Sequence, residues 1–245
     1  RSRFMGDPQF YDVPINKIIS KERANSLAKK INLEEATPPN TLNPDSLFQE
    51  GENTTHYSII DQNGNVVSNT YTLGYSFGSG VTIPGTGILL DNQMNNFAYQ
   101  YGNPEVIDRS ASIGNRLEPG KRPMSTMTPV IIFDENNELK LITGSPGGAL
   151  IPAAVLRVIT GIIDFNLNLG EATMLPRIHK DWPYKSLRLE KGFSQDTIQI
   201  LESYGHELEE SKTMGSTQSI LISTKGKEGF ADLRRPNAGV AIQID

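Results

Sequence analysis

The run Asn53-Thr54-Thr55-His56-Tyr57-Ser58 places a threonine where a stretch rich in proline and asparagine gives way to the first clear β pattern. Cleavage of the backbone before Thr54 would leave its hydroxyl at a chain start, beside its own α-amine. Such an amine titrates near ~7.7–8.0, so about a tenth is neutral at pH 7 and able to accept the hydroxyl proton. The pair would then be a nucleophile with a built-in base. A second group is Gly144-Ser145-Pro146-Gly147-Gly148, between an expected strand and an expected helix. Amides at such a turn favour negative charge. The turn is either simply tight, or a donor set for the oxyanion of a tetrahedral acyl intermediate. A nucleotide loop fits less well, because neither Gly-x-Gly-x-x-Gly nor a Gly-Lys-Ser/Thr ending is present. The third group is Lys121-Arg122-Pro123-Met124-Ser125-Thr126-Met127-Thr128-Pro129. Its adjacent hydroxyls either bind a carboxylate or satisfy backbone groups.

Composition narrows the chemistry. With 245 residues, 37% hydrophobic and 21% charged, the chain can bury a full core as one unit or two lobes. A net charge of −5 and the lack of a Lys/Arg stripe with interleaved aromatics argue against nucleic acid as a partner. No cysteine is present, which removes disulfides, thiolate metal sites and a cysteine nucleophile. His56, His179 and His206 lie far apart without ligand spacing, so neither a bound metal nor another cofactor is expected. Each of the three is expected to be a packed or surface residue. The longest apolar run, Ala149 to Phe165, is broken by Arg157 and Asp164, too short for a comfortable membrane span and expected to be a buried core helix. The start, Arg1-Ser2-Arg3-Phe4-Met5, has no signal-peptide pattern and is expected to lie inside a longer protein.

The elements that must position these groups follow from periodicity. Residues 1–16 predict an irregular connector. Ser20 should cap a helix bearing Ala24, Leu27, Ala28 and Ile31, with Lys29 and Lys30 at its negative end. Residues 36–53 lose periodicity and read as an exposed linker. A hairpin should then form, with Tyr57–Ile60 and Val66–Leu73 flanking an Asn63-Gly64 turn, returning Thr72 toward the start of its first strand. The glycine-rich 74–87 stretch predicts a strand at Ile88–Leu90, and the polar 97–120 stretch a lid or binding loop. Further on come a hairpin of Val130–Phe133 and Leu139–Ile142 and a helix over 149–165, apolar on nearly all sides and expected between layers. A helix over 194–204 has Ser194 as cap, a Phe193/Ile198 staple and Gly205 as terminator; strands are expected at 218–222 and 238–242. Hairpins alternating with helices predict an α+β layered domain of antiparallel sheets with outer helices.

Five motifs occur in the order found in γ-glutamyltransferases (γ-glutamyltranspeptidases). They are Thr54-Thr55-His56-Tyr57-Ser58, Gly87-Ile88-Leu89-Leu90-Asp91-Asn92-Gln93-Met94, Lys121-Arg122-Pro123-Met124-Ser125, Gly144-Ser145-Pro146-Gly147-Gly148 and Met214-Gly215-Ser216-Thr217-Gln218-Ser219. Arg1-Ser2 and Gly6-Asp7-Pro8 look like the end of that family's large subunit. The resemblance spans essentially the whole chain. It implies an N-terminal-nucleophile hydrolase fold, an αββα sandwich, made by a precursor that cleaves itself between Asn53 and Thr54. Residues 1–53 would then end the large subunit with its linker, and residues 54–245 would be the small catalytic subunit. The upstream large-subunit polypeptide would be the partner, and a periplasmic or extracellular location the family precedent.

By the same resemblance Thr54 is the nucleophile and Thr72 the second threonine that hydrogen-bonds it. Gly147 and Gly148 supply the oxyanion hole, Ser125 and Thr126 hold the substrate α-carboxylate, and Gln93 lines the same pocket. Two positions depart from the pattern. Asn96 stands where the family has a carboxylate for the substrate ammonium, and Gly74 where it has an asparagine. A neutral amide gives up the charge-assisted part of an ammonium contact, on the order of 1 kcal/mol or more. The expected activity is hydrolysis or transfer of glutathione-like γ-glutamyl groups, to water or an amine acceptor. Competing readings are an acylase for desamino, glutaryl-type amides, a poly-γ-glutamate depolymerase or transpeptidase, and a non-maturing binding homologue.

Overall fold

The computed structural model describes residues 4–37, 54–98, 112–180 and 186–243. In chain order its elements are α1 (Ile15–Ile18), α2 (Lys21–Ala28), β1 (Thr54–Ile60), β2 (Val66–Thr72), β3 (Val130–Phe133), β4 (Leu139–Thr143) and α3 (Ile151–Ile163). Then follow α4 (Leu169–Met174), β5 (Ile178–His179), β6 (Ser186–Leu189), α5 (Gln195–Ser203), β7 (Glu207–Glu210), β8 (Gln218–Ser223) and β9 (Gly226–Ala231). They fall into two units: Arg1–Gln49 with Gln93–Ser125 and Lys180–Glu210, and Glu50–Asn92 with Thr126–His179 and Ser211–Asp245.

The second unit is layered. Its first layer is the β1–β2 hairpin, with Thr54 opposite Thr72 and Ile60 opposite Val66. The turn is closed mainly by Asp61, whose carboxylate accepts from the Asn63 and Asn65 amides at 2.9 and 2.8 Å, while Gly64 supplies the positive φ. The next layer is an antiparallel sheet in the order β3-β4-β8-β9. Ser58 Oγ donates to the Gln218 carbonyl at 2.9 Å and Ser68 Oγ to the Thr143 carbonyl at 3.0 Å, which ties the hairpin to β8 and β4. On the sheet's other face, Leu141 and Leu221 pack with Val158 and Ile162 of α3 and Leu169 and Ala172 of α4. Each of the leucine, isoleucine and valine side chains contributes roughly 1.5–3 kcal/mol when fully buried. Gly161 permits the close crossing, since a Cβ there would lie 2.9 Å from that of Ala172.

The fold departs from the sequence pattern at three places. The α3 helix is buried along one face, Ile151, Ala154, Val155, Val158 and Ile162, while Leu156 and Ile163 are exposed, so among the described residues only one side is covered. The helix ends at Ile163, short of Phe165. The Gly239-Val240-Ala241-Ile242 run forms no strand; β9 instead turns back directly on β8, and Val240 packs over Gly229. Residues 88–90 contribute only an isolated bridge, Thr82 with Leu89.

In the first unit, Ser20 caps α2 by accepting from the Arg23 amide at 3.1 Å. The helix stops at Ala28, so Ile31 and the lysines lie beyond it, and none of its residues is buried. Apolar spacing without burial does not prolong a helix this short. A short helix at α1 replaces part of the expected connector. The sequence does not announce the parallel pair β6–β7, in which Ser186 is register partner of Glu207, nor that α5 connects them. Ser194 precedes α5 without capping an amide; its hydroxyl pairs with that of Thr197 at 2.8 Å, and Gly205 ends the helix at φ +86°. No helix among the described residues is long and apolar enough to cross a membrane.

Candidate active site

Thr54 heads β1 and faces Thr72, the last residue of β2, as its register partner. Directly opposed residues of an antiparallel pair point to one face, so the two hydroxyl-bearing side chains are neighbours. Thr54 is 4% exposed. Its carbonyl accepts from Arg235 Nη1 at 3.0 Å, and Thr72 Oγ1 accepts from the Gly74 amide at 2.9 Å. Asn53, the other half of the expected cleavage site, lies outside the described residues.

His56 lies two residues along the same buried face. Its Nδ1 is 2.7 Å from Thr70 Oγ1 and its Nε2 3.2 Å from Ser58 Oγ. Ser58 has one hydroxyl hydrogen and gives it to the Gln218 carbonyl, so it can only accept from His56. The ring is therefore the neutral Nε2–H tautomer, with Nδ1 accepting from Thr70. Burial lowers its pKa to about 4.

The glycine turn leaves the end of β4. Gly147 (φ +130°) and Gly148 (φ +57°) adopt backbone conformations that disfavour a side chain, and Gly148 begins the 3₁₀ turn leading into α3. Their amides thus stand at a helical start, where the first N–H groups lack intrahelical acceptors. The turn is braced by the 214–218 segment. Ser145 Oγ accepts from the Ser216 amide at 2.9 Å and donates to the Pro146 carbonyl at 2.6 Å, and the Gln218 amide donates to the Gly144 carbonyl at 3.1 Å. A Cβ on Gly147 would lie 3.1 Å from Gly215 Cα.

That brace is itself anchored on Asp232, which is fully buried. Its Oδ2 accepts from Arg177 Nη2 at 2.7 Å and the Thr217 amide at 3.0 Å, while Arg177 Nη1 donates to the Met214 carbonyl at 2.6 Å. Oδ1 accepts from the Arg234 amide at 3.0 Å. Burial by itself raises the carboxyl pKa, but Arg177 and the two amides outweigh it, leaving Asp232 below the ordinary carboxylate value and charged.

The remaining candidate residues divide between the units. Thr126 is half-buried in the second, and its carbonyl accepts from the Thr128 hydroxyl at 2.9 Å. Gln93, Asn96 and Ser125 belong to the first. Gln93 and Asn96 open and close one 3₁₀ turn, and Asn96 Nδ2 donates to Gln93 Oε1 at 2.6 Å, which directs the Asn96 carbonyl oxygen elsewhere as an acceptor. Ser125 is exposed, at the end of a segment pinned by Arg122. The Arg122 side chain and amide donate to Asp7 at 2.8 to 3.0 Å and hold that carboxyl well below its usual range. Gly74, at φ +87°, lies so close to Asn92 that a Cβ would overlap its side-chain amide, which accepts from the Tyr75 amide.

Three supporting residues, Arg235, Asp232 and Arg177, stand outside every motif marked by spacing. The Arg234-Arg235 pair after an acidic turn is the available signal for the tail. His56 is a packed residue, as expected, but its place between the two strands and the glycine turn has no mark in the sequence. Among the described residues no group of His, Asp and Glu side chains is arranged to hold a metal ion.

The sequence profile of the gamma-glutamyltranspeptidase family matches residues 1–242. The chain is 42% identical over 228 residues to the glutathione hydrolase proenzyme of Escherichia coli (strain K12), covering 93% of this chain and 39% of that protein. Among solved structures, a mutant of Helicobacter pylori gamma-glutamyltranspeptidase superposes with a TM-score of 0.67 at 40% identity, over 74% of this chain and 100% of that one. Cephalosporin acylase from Bacillus halodurans superposes with a TM-score of 0.80 at 28% identity, over 100% of this chain and 42% of that one. The chain thus spans about 40% of the length of the curated relatives it matches. Its architecture is the α+β, stacked-sheet fold of N-terminal-nucleophile hydrolases. From Thr54 at the head of its strand to the braced glycine turn, and across nearly its whole length, the chain belongs to the gamma-glutamyltranspeptidase family.

Proposed function

We propose that the protein containing this chain is an N-terminal-threonine γ-glutamyl hydrolase or transferase, matured by cleavage between Asn53 and Thr54. The observation that carries this reading is the register pairing of Thr54 with Thr72 in a hairpin tied to the strand that ends in the Gly147-Gly148 turn. In the first step Thr54 Oγ bonds to the γ-carbonyl carbon of the donor amide. Its proton passes to the Thr54 amine, directly or through water, and the oxyanion rests on the Gly147 and Gly148 amides. The C–N bond then breaks, the leaving amine takes up the proton, and an ester remains on Thr54. Water, or an acceptor amine, then attacks the ester carbonyl; the C–Oγ bond breaks, Oγ takes up a proton from the attacking group through the amine, and the free acid or the new amide leaves.

Ser125 and Thr126 would hold the substrate carboxylate, with Gln93 and Asn96 beside its α-nitrogen. The large-subunit portion of the precursor, residues 1–53 and what precedes them, would be the stable partner of residues 54–245. A periplasmic or extracellular location goes with this reading.

Thr54→Ala tests this directly. The precursor should stay unsplit by intact mass and show no turnover of γ-glutamyl-p-nitroanilide. A Thr54→Ala protein that still splits and turns over the anilide contradicts the assignment.

One observation favours a second reading. Asn96 offers an amide oxygen where an ammonium would be matched better by a carboxylate, and the fold also superposes on a cephalosporin acylase. An acylase for glutaryl-type amides would turn over glutaryl-p-nitroanilide faster than the γ-glutamyl anilide.

A further inference from the structure

Asn115 is completely buried in the first unit, yet it takes no part in the chemistry above. Its carboxamide touches two segments of the expected substrate pocket. Nδ2 donates to the backbone carbonyl of Asn96 at 2.7 Å, and Oδ1 accepts from the amide of Met124, the residue before Ser125, at 2.9 Å. The partners fix the orientation of this amide, because a backbone N–H can only donate and a carbonyl can only accept.

Asn115 is itself held rigidly. Its amide donates to the Ser112 carbonyl at 2.8 Å, and its carbonyl accepts from Ala98 at 2.9 Å. The preceding Gly114 is wedged between Gly6 and the Tyr11 ring, leaving no room for a Cβ. Both segments are therefore referred to one planar group that cannot follow either of them.

We propose that Asn115 is a specificity-determining positioning residue: its buried carboxamide sets the spacing between the Asn96 turn and the extended segment carrying Ser125. That spacing matters because an α-amino acid presents two groups on one carbon, a nitrogen and a carboxylate. A site that reads both must hold its acceptor and its hydroxyl donor a fixed distance apart. A substrate lacking the nitrogen needs only the Ser125 side. Asn115 therefore acts on discrimination between γ-glutamyl and glutaryl donors. This inference rests on the γ-glutamyl reading above.

The test uses Asn115→Asp and Asn115→Ser in the full precursor. The aspartate keeps an acceptor for Met124 but turns an oxygen against the Asn96 carbonyl; the serine removes the bridge. Each should raise KM for γ-glutamyl-p-nitroanilide about tenfold, the effect of losing one buried hydrogen bond. KM for glutaryl-p-nitroanilide should change much less, and the loss should fall on KM rather than kcat. In an Asn96→Ala background the Asn115→Asp effect should largely vanish, because both changes act on one contact.

Equal KM losses on the two anilides, or additive effects in that cycle, overturn the proposal. So does failure of both variants to give folded, cleaved protein, which would make Asn115 a fold residue only. Turnover of neither anilide by the unmodified protein overturns the γ-glutamyl reading and this inference with it. Normal turnover with an unchanged substrate ratio in the variants overturns the inference alone.

Discussion

The His56 imidazole occupies the space that a side chain on Gly144 would need: a Cβ built on Gly144 overlaps the ring. Gly144 does not have positive φ, so its lack of a side chain is a matter of packing and not of backbone conformation. The contact joins the strand headed by Thr54 to the root of the turn bearing Gly147 and Gly148. Gly144→Ala should push hairpin and turn apart and destabilise the protein by about 1–3 kcal/mol, the usual range for overpacking. In urea melts the midpoint should fall, and splitting of the precursor, followed by intact mass, should slow. An unchanged midpoint would show that the ring can move aside.

The same histidine makes stability depend on pH. Its folded pKa is about 4, against 6.5 for the unconstrained side chain. Between these values the unfolded chain binds a proton that the folded chain does not, so stability rises with pH across the window. The contribution is fully present above about pH 6.5 and is lost as pH falls toward 4. Its ceiling is roughly 3 kcal/mol. Thr70, Ser58 and Gly144, the groups described around the ring, carry no charge to offset it. His206 is shifted in the same direction by burial and by Lys180, so it adds to the slope. Urea midpoints at pH 5 and pH 7 should differ less in His56→Asn than in the unmodified protein. An equal difference would remove His56 as the source.

Alternation and turn chemistry make the first hairpin legible in the sequence itself. The Asn63-Gly64 turn with its flanking β-rich runs is enough to bring Thr72 opposite Thr54. The second hairpin is legible for the same reason. What is not legible depends on partners far along the chain. Nothing local marks Asn115 as a bridge between residues 96 and 124, or Asp232 as the anchor of residues 214–217. The apolar 238–242 run misleads because β propensity alone cannot tell a strand from an extended tail, and β9 occupies the edge of β8 instead. The apolar character of α3 likewise registers every nonpolar residue, while the sheet covers only one stripe.

Arg177 and Asp232 form a buried pair at 2.7 Å, with exposures of 3% and 0% for their side chains. Asp232→Asn would leave the Arg177 guanidinium buried without its counter-charge, at a cost of about 3–5 kcal/mol. Because Asp232 also holds the Thr217 amide, the brace beneath Ser145 should loosen as well. Protease susceptibility should therefore rise around residues 214–217 together with a fall in thermal midpoint. Adding Arg177→Met should recover part of the loss, since the unpaired charge is then gone. A double variant no more stable than Asp232→Asn would mean that hydrogen bonding, not charge, dominates the cluster.

The two departures from the family pattern should respond differently to reversal. Asn96→Asp restores a charge-assisted acceptor without changing side-chain shape, and should raise the kcat/KM ratio of γ-glutamyl over glutaryl anilide by about five- to tenfold, equivalent to roughly 1 kcal/mol or slightly more. Gly74→Asn should give no such gain. The backbone there, at φ +87°, is one that asparagine tolerates better than most residues, but its Cβ would displace the Asn92 side chain from the Tyr75 amide. The expected result is a lower thermal midpoint with an unimproved substrate ratio, and partial recovery of that midpoint when Asn92→Ala is added. A Gly74→Asn protein that gained γ-glutamyl preference at full stability would show that the Asn92 contact yields readily and that the 74 position limits recognition by its missing amide alone.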